Sequence, residues 1–292
     1  NIVQSIRLLK GIDMRITQKL DRERIVSKYG KGGNYLYRVY SEKEYSNVVQ
    51  DLSAYTDLDE LDLLAKVLLK PEDVGHFVRE FNFYKPKTKE QIDWFYRVAQ
   101  GYLFGNMNRT FWEKLKFVKK EHEPILDYGG GIGNNTIPFA EKEFIIDYFD
   151  VSIVQRDFVK FRGHIRRNHC FNLKIFDGFY DGAFSYLDFV KSLCDDYYGL
   201  IILQDVLEHI PNYEFLLKHL CPKLRKGGMI VEYSPFRTEK LNSVVHLPEV
   251  YLLETAMAEN GMVRADQKLV CELYSLKKPE EAALHKGIWI RQ

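Results

Sequence analysis

The sequence is short of several things, and each shortage closes off a class of protein. Only 4 of 292 residues are cysteine, at 170, 194, 221 and 271. No two form a CxxC pair, so neither a thiolate zinc site nor a disulfide framework is indicated. No other cluster of metal-ligating residues stands out, and no metal is expected. Charge of one sign is not in excess either. The 42 Lys and Arg face 41 Asp and Glu, a formal net charge of +1, which argues against a nucleic-acid binder driven by bulk charge. The apolar runs are far shorter than the roughly 20 residues of a membrane span. There is no internal repeat and no low-complexity tract. No leader segment is visible at the start, which opens on Asn1. Free thiols fit a reducing compartment, so a cytoplasmic location is expected.

What is present is enough for a large core. Hydrophobic residues make up 46 % of the chain, and the length suits one large domain or two of ordinary size. The two parts read differently. Residues 1–120 look helical and are expected to form a cap. Ile6, Leu9, Ile16 and Leu20 recur at helical spacing, and Leu58, Leu61, Leu64, Ala65 and Leu68 form a cleaner stripe stopped by Pro71. A third helix is expected from Thr88 through Ala99 and a fourth over 110–119, with a glycine loop and a strand-like aromatic piece, "YGKGGNYLYRVY", between the first two. From 121 to 292 strands and helices alternate. "PILDY", "EFIIDYF", "NLKIF", "YGLIILQ" and "GGMIVEY" are strand candidates separated by helical segments, and "MVRADQKLVCELYSL" and "GIWIRQ" supply two more. This alternation predicts an α/β fold: a seven-stranded, mostly parallel, doubly wound sheet with an N-terminal helical cap.

The segment "PILDYGGGIGNNTIPFA", residues 124–140, carries four glycines within five positions directly after the first strand. A tight turn alone would not need so many. In parallel sheets ligands bind beyond the carboxyl ends of the strands, so a ligand is expected against Gly129, Gly131 and Gly133. The dinucleotide pattern GxGxxG is broken, because its third glycine is Asn134. Asp127 just before the turn would repel a pyrophosphate and attract an ammonium group. A ligand bearing an amino acid therefore fits better than NAD.

At this point the residues meet a family. "ILDYGGGIGNN" resembles motif I of the class I S-adenosylmethionine (SAM) dependent methyltransferases. "IDYFDVS", "YGLIILQDVLEHIPN" and "LRKGGMIVEYSP" resemble that family's second, fourth and fifth strands, in order. The resemblance covers residues 121–292 and implies SAM as cofactor and S-adenosylhomocysteine (SAH) as product. It places Gly129, Gly131 and Gly133 along the methionine and ribose, Asp127 near the amino group, Asp150 on the ribose hydroxyls, Asp177 near the adenine amine, and Gln204 and Asp205 beside the sulfonium. Asp150 also stands where a residue could cap the next helix, and Asp177 could be a plain Asp-Gly turn. One departure is Gly199, which occupies a position commonly acidic in the family, with Asp195 and Asp196 lying upstream.

Methyl transfer from a sulfonium is an in-line displacement that needs alignment and sometimes a base. His209 in "LEHIP" and His246 in "VVHLPEV" follow the fourth and fifth strands on the ligand side and are the candidate bases. Each could equally be a packing histidine. The Asn/Asp-Pro-Pro-Tyr motif of enzymes acting on exocyclic amines is missing; Gln204, Asp205, Val206 and Leu207 stand in its place. The "LEH" turn resembles enzymes acting on small molecules. The expected acceptor is therefore a small molecule, with no nucleic-acid partner and no membrane span. A methyltransferase acting on a protein or other macromolecule, and a non-catalytic SAM-binding scaffold, are the alternatives.

Overall fold

The structure is a computed structural model, which describes residues 27–28, 43–59, 62–63, 115–166, 172–176, 186–210, 212–236, 252–266, 268, 270–271 and 287–292. In chain order the elements are α1 (Lys43–Thr56), β1 (Ile125–Tyr128), α2 (Thr136–Glu141), β2 (Ile146–Phe149), α3 (Ile153–Ile165), β3 (Leu173–Ile175), α4 (Tyr186–Ser192), β4 (Tyr198–Gln204), α5 (Tyr213–Leu220), β5 (Leu224–Tyr233), α6 (Leu253–Glu259), β6 (Met262–Arg264) and β7 (Gly287–Arg291). Short 3-10 turns cover Lys120–His122, Leu207–His209 and Cys221–Lys223.

The strands form one seven-stranded sheet in the order β3-β2-β1-β4-β5-β7-β6. The β1–β2, β1–β4, β2–β3 and β4–β5 pairs are parallel. Only β7 runs against its neighbours, pairing antiparallel with β5 and β6. The α/β sheet predicted from alternation is thus the one formed. Its central strands are mostly apolar because both faces are covered. In β4, Leu200 and Ile202 enter one core with Ile125, Ile146, Phe139 and Val231. Ile201 and Leu203 enter the opposite core with Leu126, Phe149, Phe189, Leu216 and Met257. Each such fully buried aliphatic side chain contributes about 1.5–3 kcal/mol relative to exposure.

Strand order reverses between β1 and β4: the chain leaves β1 toward β2 and β3, then returns to β4 on the other side of β1. The crevice beyond the carboxyl ends of these two strands is where an open α/β sheet admits a ligand. The glycine loop leaves β1 there, and Gln204 and Asp205 leave β4.

Several expectations need correction. The helix expected over 110–119 does not reach its end: residues 116–119 are turn and extended backbone, with Lys119 at φ −118°, ψ 170°. "MVRADQKLVCELYSL" is not one strand. Among its described residues the sheet holds Met262–Arg264, and Lys268, Val270 and Cys271 are helical. Helix α1 was not anticipated; it buries Val48, Val49 and Leu52. Of the helix expected over 58–68, residues 58–59 and 62–63 are described; the first two are not helical, so the helix starts later than expected, and 62–63 are helical. The helices expected over 6–20 and 88–99 lie outside the described residues. Among the described residues no helix is long and apolar enough to cross a membrane.

Candidate active site

Three glycines of the loop have left-handed backbone: Gly129 at φ 71°, Gly131 at 56° and Gly133 at 76°. The fourth, Gly130, is glycine for another reason. A Cβ there would lie 2.8 Å from Asp127 Oδ2 and from two atoms of the Tyr148 ring. At Gly129 a Cβ would strike Val206 Cγ2 at 2.5 Å, and at Gly133 Val159 Cγ2 at 2.9 Å. Contacts within the protein therefore account for Gly129, Gly130 and Gly133, and left-handed backbone for Gly131.

The loop is held from below by β2. The N–H groups of Gly129 and Gly130 donate to the Phe149 carbonyl, at 2.8 and 3.1 Å. The Tyr148 hydroxyl donates to the Gly131 carbonyl at 2.6 Å. Asp150, at the end of β2, accepts from the Gly131 N–H at 2.9 Å on Oδ2 and from the Ser152 N–H at 2.7 Å on Oδ1. Ser152, not Asp150, is the N-cap of α3; its hydroxyl accepts from the Gln155 N–H. Each Asp150 oxygen thus takes one backbone N–H and keeps further lone-pair capacity.

Asp127 lies beneath the loop, buried, and accepts from the Thr136 hydroxyl at 2.5 Å on Oδ2. Burial pushes its carboxyl up to about 6; the Thr136 hydrogen bond opposes this, and Asp150 adds to it. Burial also pushes Asp150 up to about 6, against the Ser152 and Gly131 N–H groups and Arg156, all of which favour its ionised form. Across the crevice, Asn135 Nδ2 donates to Gln204 Oε1 at 3.0 Å, joining the loop to the end of β4. The Asn135 Oδ1 is buried and has no protein donor. Asp205 turns the chain at φ 51°, its N–H bonded to the Tyr233 carbonyl at 2.8 Å. The next turn carries Glu208, wholly buried, and His209, whose side chain is 16 % exposed with Nε2 3.7 Å from Glu208 Oε1.

Asp127, the three glycines, Asp150, Gln204 and Asp205 therefore surround the ends of β1, β2 and β4. His209 lies one turn beyond Asp205. Asp177 and His246 lie outside the described residues. Sequence reasoning missed Gly130, Thr136, Asn135 and Tyr148. Thr136 and Asn135 stood in the quoted segment, but only a folded loop brings them to Asp127 and Gln204. Among the described residues, no group of three or more His, Cys, Asp and Glu side chains could hold a metal ion.

Residues 99–253 match the family model described as a methyltransferase domain. The chain belongs to the class I, SAM-dependent methyltransferases. No curated protein matches it significantly. Among solved structures, this methyltransferase is similar to the StiE O-methyltransferase, with 20% identity over 53% of this chain and 52% of that one and a TM-score of 0.37. It is also similar to the O-methyltransferase of a trans-AT PKS multienzyme of Brevibacillus brevis in complex with SAH, at 20% identity, 56% and 55% coverage and a TM-score of 0.37. A third is the geranyl diphosphate C-methyltransferase of Streptomyces coelicolor A3(2), at 16% identity, 56% and 68% coverage and a TM-score of 0.39. The methyltransferase thus spans about half the length of the first two. Likeness at this level says nothing of the acceptor.

Proposed function

We propose that the crevice between the glycine loop and the end of β4 binds SAM and directs its methyl group to a small-molecule acceptor. The observation that carries this reading is the pair of buried carboxylates around the loop: Asp127 beneath it and Asp150 pinning the Gly131 N–H at 2.9 Å. The donor set fits the cofactor. Asp127 supplies negative charge for an amino group. Asp150 retains lone pairs for two ribose hydroxyls, and the buried Asn135 Oδ1 offers one more acceptor. Gly129 and Gly131 are half-buried and keep part of the loop backbone open, Gly133 is buried behind them, and Gln204 and Asp205 border the sulfonium end. Asp177 is assigned to the adenine on the family resemblance alone. The cofactor supplies an electrophilic methyl; the chain supplies alignment and exclusion of water.

A small acceptor is favoured by the turn after β4. Where exocyclic-amine enzymes carry Asn/Asp-Pro-Pro-Tyr, Val206 packs against Gly129 and Leu207 is buried in the core, so this turn is closed by packing. Residues 1–120 act as a cap on the acceptor side, joined through the 3-10 turn Lys120–His122 to β1. His209 is the first candidate for a base, with His246 the second.

The test is transfer of labelled methyl from SAM into fractionated cell extract by the full chain. Label in the small-molecule fraction is expected. Label in protein, or calorimetry showing NAD bound and SAM not, would overturn the reading. Once the acceptor is in hand, His209→Ala should keep SAM affinity and lose about 10²–10⁴-fold in turnover; unchanged turnover would mean the enzyme acts by positioning alone.

A further inference from the structure

A buried ion-pair chain runs from α1 to the glycine loop. Asp51, 1 % exposed, accepts from Arg162 Nε at 2.8 Å on Oδ2 and from Arg166 at 2.6 Å on Oδ1. Arg162, on α3, is itself buried and donates from Nη1 to the Ile132 carbonyl at 2.6 Å, with Asn134 Oδ1 at 3.5 Å. Ile132 lies between Gly131 and Gly133. Arg166 donates onward from Nε to Glu141 on α2 at 2.6 Å. Apolar contact supports the same junction: the Tyr55 ring on α1 lies 5.2 Å from Phe158 and 5.3 Å from Phe161 on α3.

The chemistry of this chain is specific. A guanidinium is planar and offers donors in a fixed fork, so Arg162 can hold a carboxylate on one edge and a loop carbonyl on another. A buried pair is poor evidence for stability, since apolar residues often serve as well. What it does provide is geometry: with Asp51 in place, Arg162 has one position, and that position fixes the Ile132 carbonyl. Without Asp51 the guanidinium is a buried charge lacking its counter-ion, and it must reorient or draw in water.

We propose that Asp51 is a positioning residue for the cofactor loop: through Arg162 it couples docking of the N-terminal helix α1 to the geometry that receives SAM. The proposal rests on the reading that this loop binds SAM. Linkage is reciprocal, so cofactor binding must in turn tighten the seating of α1.

The experiment is hydrogen exchange on the full chain with and without SAH, alongside SAH calorimetry on wild type, Asp51→Asn and Arg166→Gln. Wild type should show slower amide exchange across residues 43–56 when SAH is bound. Asp51→Asn should lose that slowing and bind SAH about tenfold more weakly, within the usual range of coupling between sites. Arg166→Gln, which leaves the Arg162 link intact, should bind as wild type does. If wild type binds SAH with no change in exchange over 43–56, the coupling is refuted while the cofactor site stands. The same holds if folded Asp51→Asn binds SAH normally, or if Arg166→Gln loses as much affinity as Asp51→Asn. Should Asp51→Asn fail to fold, the wild-type exchange measurement decides alone. If wild type binds no SAH, the cofactor reading fails and the coupling with it.

Discussion

Asp127 and Asp150 are the carboxylates proposed to meet the cofactor, and both are held up to about 6 because burial penalises their charged forms. Two consequences of opposite sign follow. For stability, the folded state binds these protons more tightly than the unfolded chain. Both carboxylates therefore favour the folded state at low pH, and that contribution is lost as pH rises from the ordinary carboxylate range to about 6. For ligand binding the order is reversed, since a cationic cofactor needs the carboxylate ionised. SAM affinity should fall by about tenfold between pH 7 and pH 5 for one such group, with protons released on binding. Calorimetry in buffers of different ionisation enthalpy checks this, and Asp127→Asn should flatten the profile; an affinity independent of pH would show that neither carboxylate meets the cofactor. Asp150 has a second duty, because it also holds the Gly131 and Ser152 N–H groups. Asp150→Ala should weaken SAM binding by about 1–3 kcal/mol, measured by titration of the folded variant.

At the scale of elements, Gly199 departs from the family's acidic habit for a reason in the packing. A Cβ at this position would lie 2.5 Å from the His122 carbonyl oxygen, because β4 starts against the 3-10 turn Lys120–His122 and donates the Gly199 N–H to the Pro124 carbonyl. The displaced acids serve the sheet's lower edge instead. Asp195 pairs with Lys223 at 2.7 Å and Asp196 with Arg291 at 2.6 Å. Gly199→Asp, which installs the family's usual residue type, should thus destabilise the fold by about 1–3 kcal/mol through overpacking against backbone; urea unfolding measures it, and a neutral result would mean that the turn yields easily. The same scale shows what was legible. The strands were read because β1, β2, β4 and β5 each carry a short cluster of apolar residues bounded by turn residues, with few charges inside it. Helix α1 was not, because Asp51 lies on its buried face beside Val48 and Leu52, and a charge there reads as solvent-facing until Arg162 is seen opposite. The sixth strand segment was read too long, since Lys268 and Val270 alternate like a strand but are helical.

For the molecule as a whole, binding to the folded state alone adds stability. SAH at a hundred times its dissociation constant should contribute about 2.7 kcal/mol, equivalent to roughly 5–10 °C in Tm for a domain of this size. A thermal scan showing no shift at that concentration would contradict the site. The sheet was legible because it rests on local pattern, apolar clusters between turns; the carboxylates proposed for the site were singled out by the same kind of signal, an acid at a strand end beside a glycine turn. Gly130, Tyr148 and Arg162 were not, because their partners lie on other elements and no spacing in the sequence announces them. One consequence belongs to the order of synthesis. Strand β7 is the last of the seven in sequence, yet it sits between β5 and β6. Until residues 287–291 emerge from the ribosome, β5 presents an open edge to neighbouring chains and β6 has no strand to pair with. The parallel half that bears the glycine loop can assemble earlier, so a nascent chain would possess its loop before its sheet is closed, and a chaperone would find its target at that open β5 edge.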